Sequence, residues 1–190
     1  HRDNRARLAA GLPRGGRVLD VFAYLGGWAA RAAALGAGSV TLVDSSAPAL
    51  ALAARNLAAN MPALAPELLT GDAFDSLEAL VTDARRFDVV ILDPPAFIKR
   101  RRDIARGSRA YERLARLALR LCEDGAMLVS ASCSGLLEAD VFRNILRRAA
   151  LAEHRTLRIV GRGGEAADHP VHPAVPESEY LKCLFCWVQG

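Results

Sequence analysis

The chain has 190 residues, a length that suits one domain with a sizeable core. Its hydrophobic fraction of 52% argues against disorder. No apolar run approaches the roughly 20 residues of a transmembrane helix, and no signal-peptide pattern is visible, so we expect a cytoplasmic protein. The net charge of +4 permits a polyanionic partner.

The N-terminal stretch is polar and rich in arginine, and we interpret residues 1–12 as a short basic helix or arm with a solvated face. The chain starts at His1 rather than at Met, which indicates an excerpt of a longer protein. We see no internal repeat or low-complexity linker and expect residues 1–190 to form one domain.

The first strand, predicted over residues 17–22, runs into the glycine turn Ala23-Tyr24-Leu25-Gly26-Gly27 and a helix over residues 28–35. The two glycines let the backbone approach a ligand closely, and the helix start offers free amide donors. The turn is not Gly-x-Gly-x-x-Gly, so the dinucleotide fingerprint is missing.

A second strand over residues 39–43 ends at Asp44, and a helix over residues 47–60 follows with Ser45 or Ser46 as its cap. A third strand over residues 67–70 leads to Gly71-Asp72-Ala73-Phe74, and residues 78–85 are predicted to be helical. Acids therefore lie at or near the ends of three successive strands.

Residues 87–92 are continuously apolar, as in a central strand of a parallel sheet that is buried on both faces. Asp93 follows at the edge where open α/β sheets bind ligands, and Pro94-Pro95 prevents helix or strand from continuing. A rigid loop with one acid and the aromatic Phe97 suits a flat, polar-edged substrate such as a nucleobase.

Residues 98–109 carry a cluster of lysine and arginine that we interpret as an exposed loop able to contact phosphates. A helix over residues 111–122 and a strand over residues 126–130 follow, and the strand delivers Ser132-Cys133-Ser134-Gly135 to the same sheet edge. Another amphipathic helix is predicted over residues 136–152.

The tail has two strand-like segments, residues 154–160 and 180–188, with no helix between them, so we expect an antiparallel pair. Of the four cysteines, Cys122, Cys183 and Cys186 are interpreted as inert core residues. Cys183 and Cys186 lie three apart in a strand and face opposite sides, so neither a zinc site nor any other metal site is expected. Disulfides are not expected either.

The three acids Asp20, Asp44 and Asp72 suggest the ligand. Asp44 can accept hydrogen bonds from ribose hydroxyls, and Asp72 can accept one from an adenine amino group. Three carboxylates placed together would repel a polyphosphate. No phosphate-binding Gly-x-x-x-x-Gly-Lys-[Ser/Thr] loop is present. A neutral or cationic adenosine compound fits, and S-adenosylmethionine fits best.

These motifs, together with Ala167-Asp168-His169-Pro170 and Tyr180-Leu181-Lys182, resemble the bacterial ribosomal RNA large-subunit cytosine-5 methyltransferase family over nearly the whole chain. Members of that family carry an upstream PUA RNA-binding domain, and we do not expect residues 1–190 to include it. The chain departs from the family pattern at Ala96, where lysine is usual, and at Leu25, where threonine is usual.

The resemblance implies an α/β fold, a Rossmann-like class I methyltransferase with a seven-stranded, mostly parallel sheet, an antiparallel last strand and helices on both faces. It implies S-adenosylmethionine as cofactor and RNA, from the large ribosomal subunit, as partner. The expected cofactor-binding residues are Asp20, Phe22, Tyr24, Gly26, Gly27, Asp44, Ser45, Asp72, Ala73 and Asp93.

Cys133 and Asp93 are the expected catalytic residues. Carbon 5 of cytosine is a poor nucleophile, so a thiolate must first add to carbon 6, and Cys133 lies where it can do so. We expect nearby arginines, or a helix starting near Leu136, to depress the pKa of the Cys133 thiol. Asp93 would hold the base edge, either accepting from the 4-amino group or protonated toward N3. The base that removes the carbon 5 proton is unassigned, with His169 as a candidate.

Two other functions stay open. An amino-group methyltransferase acting on guanine or adenine would share the cofactor residues and Asp93-Pro94-Pro95 but needs no nucleophilic thiol. An RNA-binding module for ribosome assembly, with a degenerate cofactor pocket, would bind RNA without S-adenosylmethionine. A nicotinamide-dependent oxidoreductase is more distant because the glycine fingerprint is missing.

Overall fold

A computed structural model describes residues 1–190. The strands are β1 (Arg17–Val21), β2 (Ser39–Asp44), β3 (Glu67–Thr70), β4 (Phe87–Leu92), β5 (Cys122–Ser132), β6 (Thr156–Gly163) and β7 (Lys182–Gln189). The helices are α1 (Arg2–Ala6), α2 (Gly27–Ala34), α3 (Ala47–Asn60), α4 (Ala73–Thr82), α5 (Ile104–Leu121) and α6 (Ala139–Ala152). Short 3-10 turns cover Arg7–Ala10, Arg101–Asp103 and Pro176–Ser178.

All seven strands form one sheet in the order β3-β2-β1-β4-β5-β7-β6. Neighbours from β3 to β5 pair in parallel, and β7 runs antiparallel to both β5 and β6. The predicted sheet with its antiparallel last strand is therefore confirmed, and β4 is its central strand. The order reverses between β1 and β4, which creates a crevice at the carboxyl ends of these strands.

Helices cover both faces of the sheet, as predicted. On one face α4, α5 and α6 pack with residues such as Leu77, Leu114 and Phe142 into a cluster of 29 buried residues. On the other face α2 and α3 contribute Trp28 and Leu50 to a cluster of 20 buried residues. Burial on both faces explains why β4 is so apolar, since only Asp88 within it is partly exposed.

Three predicted helix boundaries were wrong. Helix α4 begins at Ala73 because Asp72 caps it, helix α5 begins at Ile104 rather than at Tyr111, and α6 begins at Ala139 rather than at Leu136. The basic stretch before Tyr111 is therefore largely helical. A Cβ on Gly107 would lie 2.8 Å from the Phe97 carbonyl oxygen and would also clash with Ile98 Cγ1, so glycine lets α5 pack closely on the loop after β4.

Strand β7 carries two of the four cysteines. Cys183 belongs to the core cluster on one face and Cys186 to that on the other, so the expected opposite orientation is confirmed. All four thiols are free, and no group of three or more His, Cys, Asp or Glu side chains could hold a metal ion. None of the helices combines the length and the apolar character needed to cross a membrane.

Candidate active site

The carboxyl ends of β1, β2, β4 and β5 bring the singled-out residues to one edge of the sheet. Asp20 lies in β1, Asp44 ends β2, Asp93 follows β4 and Cys133 follows β5. Because these strands run in parallel on either side of the switch point, their ends converge on one crevice. The site is thus assembled from segments more than a hundred residues apart.

Asp20 lies beneath the glycine turn and is completely buried. Its Oδ2 accepts a hydrogen bond of 3.1 Å from the Ala29 N–H of α2, whereas its Oδ1 has no partner. Burial raises the pKa of Asp20 to about 7. Its contact in the structure is to the helix, and direct cofactor binding by Asp20 stays a prediction.

The turn after β1 is held in a left-handed conformation at three positions. Phe22, Tyr24 and Gly26 have φ values of 64°, 48° and 72°. Such values cost free energy for non-glycine residues and are typical of functional sites. A Cβ on Gly26 would also lie 2.9 Å from the Ala53 Cβ, so both conformation and space require glycine there. Tyr24 remains 66% exposed beside the crevice.

Asp44 connects the turn after β1 to the start of α3 through hydrogen bonds. Its Oδ2 accepts from the Tyr24 N–H and its Oδ1 from the Ser46 N–H, both at 2.9 Å. Each carboxylate oxygen keeps a further lone pair for a ligand. Ser46 caps α3 by accepting from the Ala49 N–H, so Ser45 is left exposed and not engaged as the cap.

Asp72 acts as the N-cap of α4. Its Oδ1 accepts from the N–H groups of Phe74 at 2.8 Å and Asp75 at 3.3 Å. Oδ2 makes no hydrogen bond within the chain, and Asp72 is exposed while Ala73 is buried beneath it. Capping and ligand binding are compatible here because they use different oxygens.

Asp93 is held by two side chains that the sequence patterns did not single out. The Trp28 indole N–H donates to Asp93 Oδ2 at 2.9 Å, and His1 Nε2 lies 3.1 Å from Asp93 Oδ1. Burial raises the pKa of Asp93, although the Trp28 hydrogen bond opposes the shift. Trp28 directly follows the paired glycines, which was a usable signal, whereas nothing in the sequence pointed to His1.

Arg5 is another residue that sequence reasoning missed. It is partly buried, and a Cβ on Gly27 would come within 3.2 Å of its Nη1, so the guanidinium lies over the glycine turn. Its positive charge favours the ionised forms of Asp20 and Asp93. The basic arm therefore reaches the site at this residue, which the interpretation as a solvated face did not predict.

Cys133 lies in the loop after β5 and contacts the loop after β4. Its Sγ is 3.8 Å from the Pro94 carbonyl oxygen. The expected depression of its pKa was wrong: burial first, and then the charge of Asp93, raise the pKa of the Cys133 thiol. No arginine is among the groups that lower it, whereas Lys182 and backbone N–H groups do lower it.

A buried chain of hydroxyl groups joins these two loops. Ser132 Oγ donates to Tyr111 Oη at 2.9 Å, Tyr111 Oη and Ser134 Oγ share a hydrogen bond of 2.9 Å, and the Ile98 N–H donates to Ser134 Oγ at 3.1 Å. Phe97 packs against Tyr111 with ring centroids 4.8 Å apart. Asp93 and Cys133 are therefore carried by loops that are fixed to each other.

An open groove of about 560 Å³ lies on the outer side of these loops. It is lined by Ala96, Ile98 and Lys99 from one loop, by Gly135 and Leu136 from the other, and by Pro176, Glu177 and Glu179 from the turn opposite. Its volume lies in the range of small-molecule sites. His169 is exposed, and no hydrogen bond or ion pair joins it to Cys133 or Asp93, so its candidacy as a base stays a prediction.

Most of the lysine and arginine side chains in residues 99–109, beside the groove, form no salt bridge within the chain. Lys99, Arg100, Arg101, Arg102 and Arg109 form no salt bridge, and only Arg106 pairs, with Asp103 at 3.2 Å. Further along α5, Arg113, Arg116 and Arg120 all pair with glutamates. The unpaired cations therefore concentrate at the site end of the helix.

The chain is similar to a described family and to several named proteins. The family model described as conserved hypothetical protein 95 matches residues 8–127. The proteins named ribosomal RNA large subunit methyltransferase I from Photobacterium profundum and from Alteromonas mediterranea are 39% and 38% identical to this chain. The alignments cover 99% and 98% of this chain but 47% of each relative, so the chain spans about half the length of the curated relatives it matches.

Two solved structures share the fold. SMU.776, crystallised in complex with SAH, has a TM-score of 0.83 and 23% identity over 98% of this chain and 48% of its own. The SAM-dependent methyltransferase from Agrobacterium tumefaciens has a TM-score of 0.66 and 17% identity, over 99% of this chain and 60% of its own. The predicted Rossmann-like methyltransferase fold is confirmed.

Proposed function

The chain belongs to the family described as conserved hypothetical protein 95, and from that premise we propose that it methylates carbon 5 of a cytosine in RNA of the large ribosomal subunit. Residues 1–190 form the catalytic domain for this reaction. The observation that carries the proposal is that a thiol and a carboxyl group, both partly buried, lie in neighbouring loops: the Cys133 Sγ is 3.8 Å from the carbonyl oxygen of Pro94, the residue after Asp93, and the charge of Asp93 acts on the thiol. The names of the relatives support an RNA substrate.

S-adenosylmethionine fits the residues at the crevice. Asp44 keeps lone pairs for ribose hydroxyls, and Asp72 keeps Oδ2 for the adenine amino group. The left-handed turn through Gly26 presents backbone beside the start of α2, where the first N–H groups lack helical partners. When bound, S-adenosylmethionine supplies an electrophilic methyl group on a sulfonium ion.

Cys133 and Asp93 divide the chemistry between them. The Cys133 thiolate forms a bond to carbon 6, and the electron pair of the 5,6 double bond moves toward carbon 5. Before the base binds, the ionised form of Asp93 opposes the Cys133 thiolate. Burial raises the pKa of Asp93, which lowers the cost of protonating it, and in its protonated form Asp93 donates its proton to N3 as charge develops on the ring. The addition of the thiolate makes carbon 5 nucleophilic enough to accept the methyl group that bound S-adenosylmethionine would supply.

Release of the product needs one more proton transfer. A base takes the proton from carbon 5, the 5,6 double bond returns, and the electron pair of the carbon 6 to sulfur bond goes back to Cys133. N3 returns its proton to Asp93, which gives neutral 5-methylcytosine and restores both groups. The rigid connection through Ser134 and Tyr111 keeps Cys133 and Asp93 on the same base during both steps.

An amino-group methyltransferase is the second candidate. The raised pKa of the Cys133 thiol favours it, because transfer to an exocyclic amino group requires no thiolate. In that reaction Asp93 would accept a hydrogen bond from the amino group, and Cys133 would only pack.

Nucleoside mass spectrometry separates the two functions. Unmodified ribosomal RNA is incubated with S-adenosylmethionine and the protein, its Cys133→Ala variant or the control Cys186→Ala, a fully buried thiol in the core. We expect 5-methylcytosine with the protein and the control, and a loss of at least roughly 10³-fold with Cys133→Ala. Undiminished product with Cys133→Ala, or a different methylated nucleoside, contradicts the thiol-addition mechanism.

A further inference from the structure

Lys182 lies directly beside the turn that carries Cys133. It is the first residue of β7, and the antiparallel register pairs it with Ser132, the last residue of β5. Its Nζ donates a hydrogen bond of 2.8 Å to the Ser134 carbonyl oxygen. The lysine therefore spans the turn from Ser132 to Ser134, with Cys133 between its two points of contact.

The lysine ammonium has no carboxylate partner. Lys182 is half-buried and forms no salt bridge, and the acids whose charges act on it most are Glu138 and Glu165. Glu165 is already engaged, because one of its oxygens accepts the N–H groups of Tyr180 and Leu181 at 2.7 and 2.5 Å. Burial lowers the pKa of Lys182, and the Cys133 thiolate is among the charges that favour its protonated form.

We propose that Lys182 is a positioning residue for Cys133, whose ammonium group holds the turn after β5 and stabilises the thiolate against the negative charge of Asp93. This inference rests on the proposed function, since only a thiol-addition mechanism needs the thiolate. An ammonium is a compact point charge, which suits a role that depends on charge rather than on bidentate geometry.

The need for such a residue follows from the surroundings of Cys133. Burial and Asp93 both disfavour the thiolate, and Lys182 is the cationic side chain that opposes them. No arginine is among the groups whose charges lower the pKa of the Cys133 thiol, contrary to the sequence-based expectation. Without Lys182, only the backbone N–H groups of Cys133 and Ala96 would favour the thiolate.

The experiment measures how fast iodoacetamide alkylates Cys133 as a function of pH, with peptide mapping to identify the modified thiol. Lys182→Met removes both charge and hydrogen bond, and Lys182→Gln keeps a donor for Ser134 without the charge. The pH at which the alkylation rate reaches half its maximum is called the midpoint. We expect both variants to raise this midpoint by about one pH unit or more, because an opposite charge at close range shifts a pKa by about 1–3 units. Lys182→Arg keeps the positive charge, so its midpoint should stay close to that of the original protein.

Lys99→Met is the matched control, because it removes the only other lysine, which is exposed, and should leave the Cys133 midpoint unchanged. Circular dichroism checks that each variant is folded. A midpoint in Lys182→Gln equal to that of the original protein overturns the proposal, since a purely structural lysine would move stability but not thiol titration.

Methyl-transfer assays on the same proteins keep this inference distinct from the proposed function. If Lys182→Gln raises the midpoint while Cys133→Ala retains full product, the coupling between lysine and thiol holds and the thiol-addition function fails. If Cys133→Ala abolishes product while Lys182→Gln leaves the midpoint in place, the function holds and the role of Lys182 is wrong. When the thiol-addition function and the role of Lys182 both hold, the pH profile of kcat for Lys182→Gln also moves to higher pH.

Discussion

Asp20 is the buried carboxyl group on which the glycine turn rests. In the folded chain burial raises its pKa to about 7, against an ordinary value of 3.8, because one oxygen has no partner to stabilise a negative charge. Between these two pH values the folded protein holds a proton that the unfolded chain releases. The contribution of Asp20 to stability is therefore greatest below pH 3.8 and falls as the pH rises to about 7.

Replacing Asp20 with Asn should remove this pH dependence. The Asn oxygen can still accept the Ala29 N–H, and the amide does not ionise. The free energy of unfolding of Asp20→Asn relative to the original protein should thus rise between about pH 4 and pH 7, by roughly 4 kcal/mol at most. Urea unfolding at several pH values measures the difference, with the exposed Asp83→Asn as control. A difference that stays constant with pH contradicts the assignment.

Among the secondary-structure elements, helix α5 shows how one residue fixes the position of a loop. Gly107 is buried on the face of α5 that meets Phe97 and Ile98, and these residues follow the Asp93-Pro94-Pro95 segment. Helical glycines ordinarily weaken a helix by about 0.5–1 kcal/mol relative to alanine. The close packing at this point outweighs that propensity, because a Cβ placed on Gly107 would lie 2.8 Å from the Phe97 carbonyl oxygen.

We therefore expect Gly107→Ala to destabilise the protein by about 1–3 kcal/mol, because the loop or the helix must shift to admit the methyl group. The neighbouring change Ser108→Ala is the control, since it adds no atoms to the contact. Urea unfolding curves measure both variants. A more stable Gly107→Ala protein, which helix propensity alone would give, would show that the contact is looser than the structure has it.

Across the whole molecule, charge is distributed unevenly between the two edges of the sheet. At the amino edge arginines pair with acids, as Arg17 does with Asp88 and Glu123 and Arg85 with Glu67. At the carboxyl edge the basic segment 99–102 forms no salt bridge. The unpaired cations of residues 99–102 therefore form a local site of attraction for a polyanion, beside a groove whose own lining includes the acids Glu177 and Glu179.

The salt dependence of RNA binding tests this asymmetry. A variant with both Arg101→Gln and Arg102→Gln should bind single-stranded RNA more weakly, and its slope of log affinity against log salt should be shallower by about 1.4, because each phosphate contact contributes about 0.7. The control replaces Arg14 and Arg86, two exposed arginines near the amino edge, with Gln. Equal slope changes in both variants would mean that only net charge matters.

Elements with strong local signals were predictable. The boundaries of α3, β3 and β4 match the prediction to the residue, because apolar periodicity, a Ser cap and the paired prolines mark them. The start of α5 was missed because the run of charges and Gly107 were interpreted as an exposed loop. Arginine is in fact a good helix former, and close packing at Gly107 outweighs the low helix propensity of glycine.

Local sequence was sufficient to establish which chemical groups stand at the ends of the strands, because the alternation of strands and helices places those ends at one edge of the sheet. It thereby predicted the fold and the placement of Cys133 and Asp93 in loops at the same edge of the sheet. The environment of these groups depends instead on contacts between distant parts of the chain, such as those of His1 and Trp28 with Asp93 and the approach of Lys182 to the turn at Cys133. The pKa of each group depends on burial and neighbouring charges, so the direction of the Cys133 shift could be read only from the folded molecule.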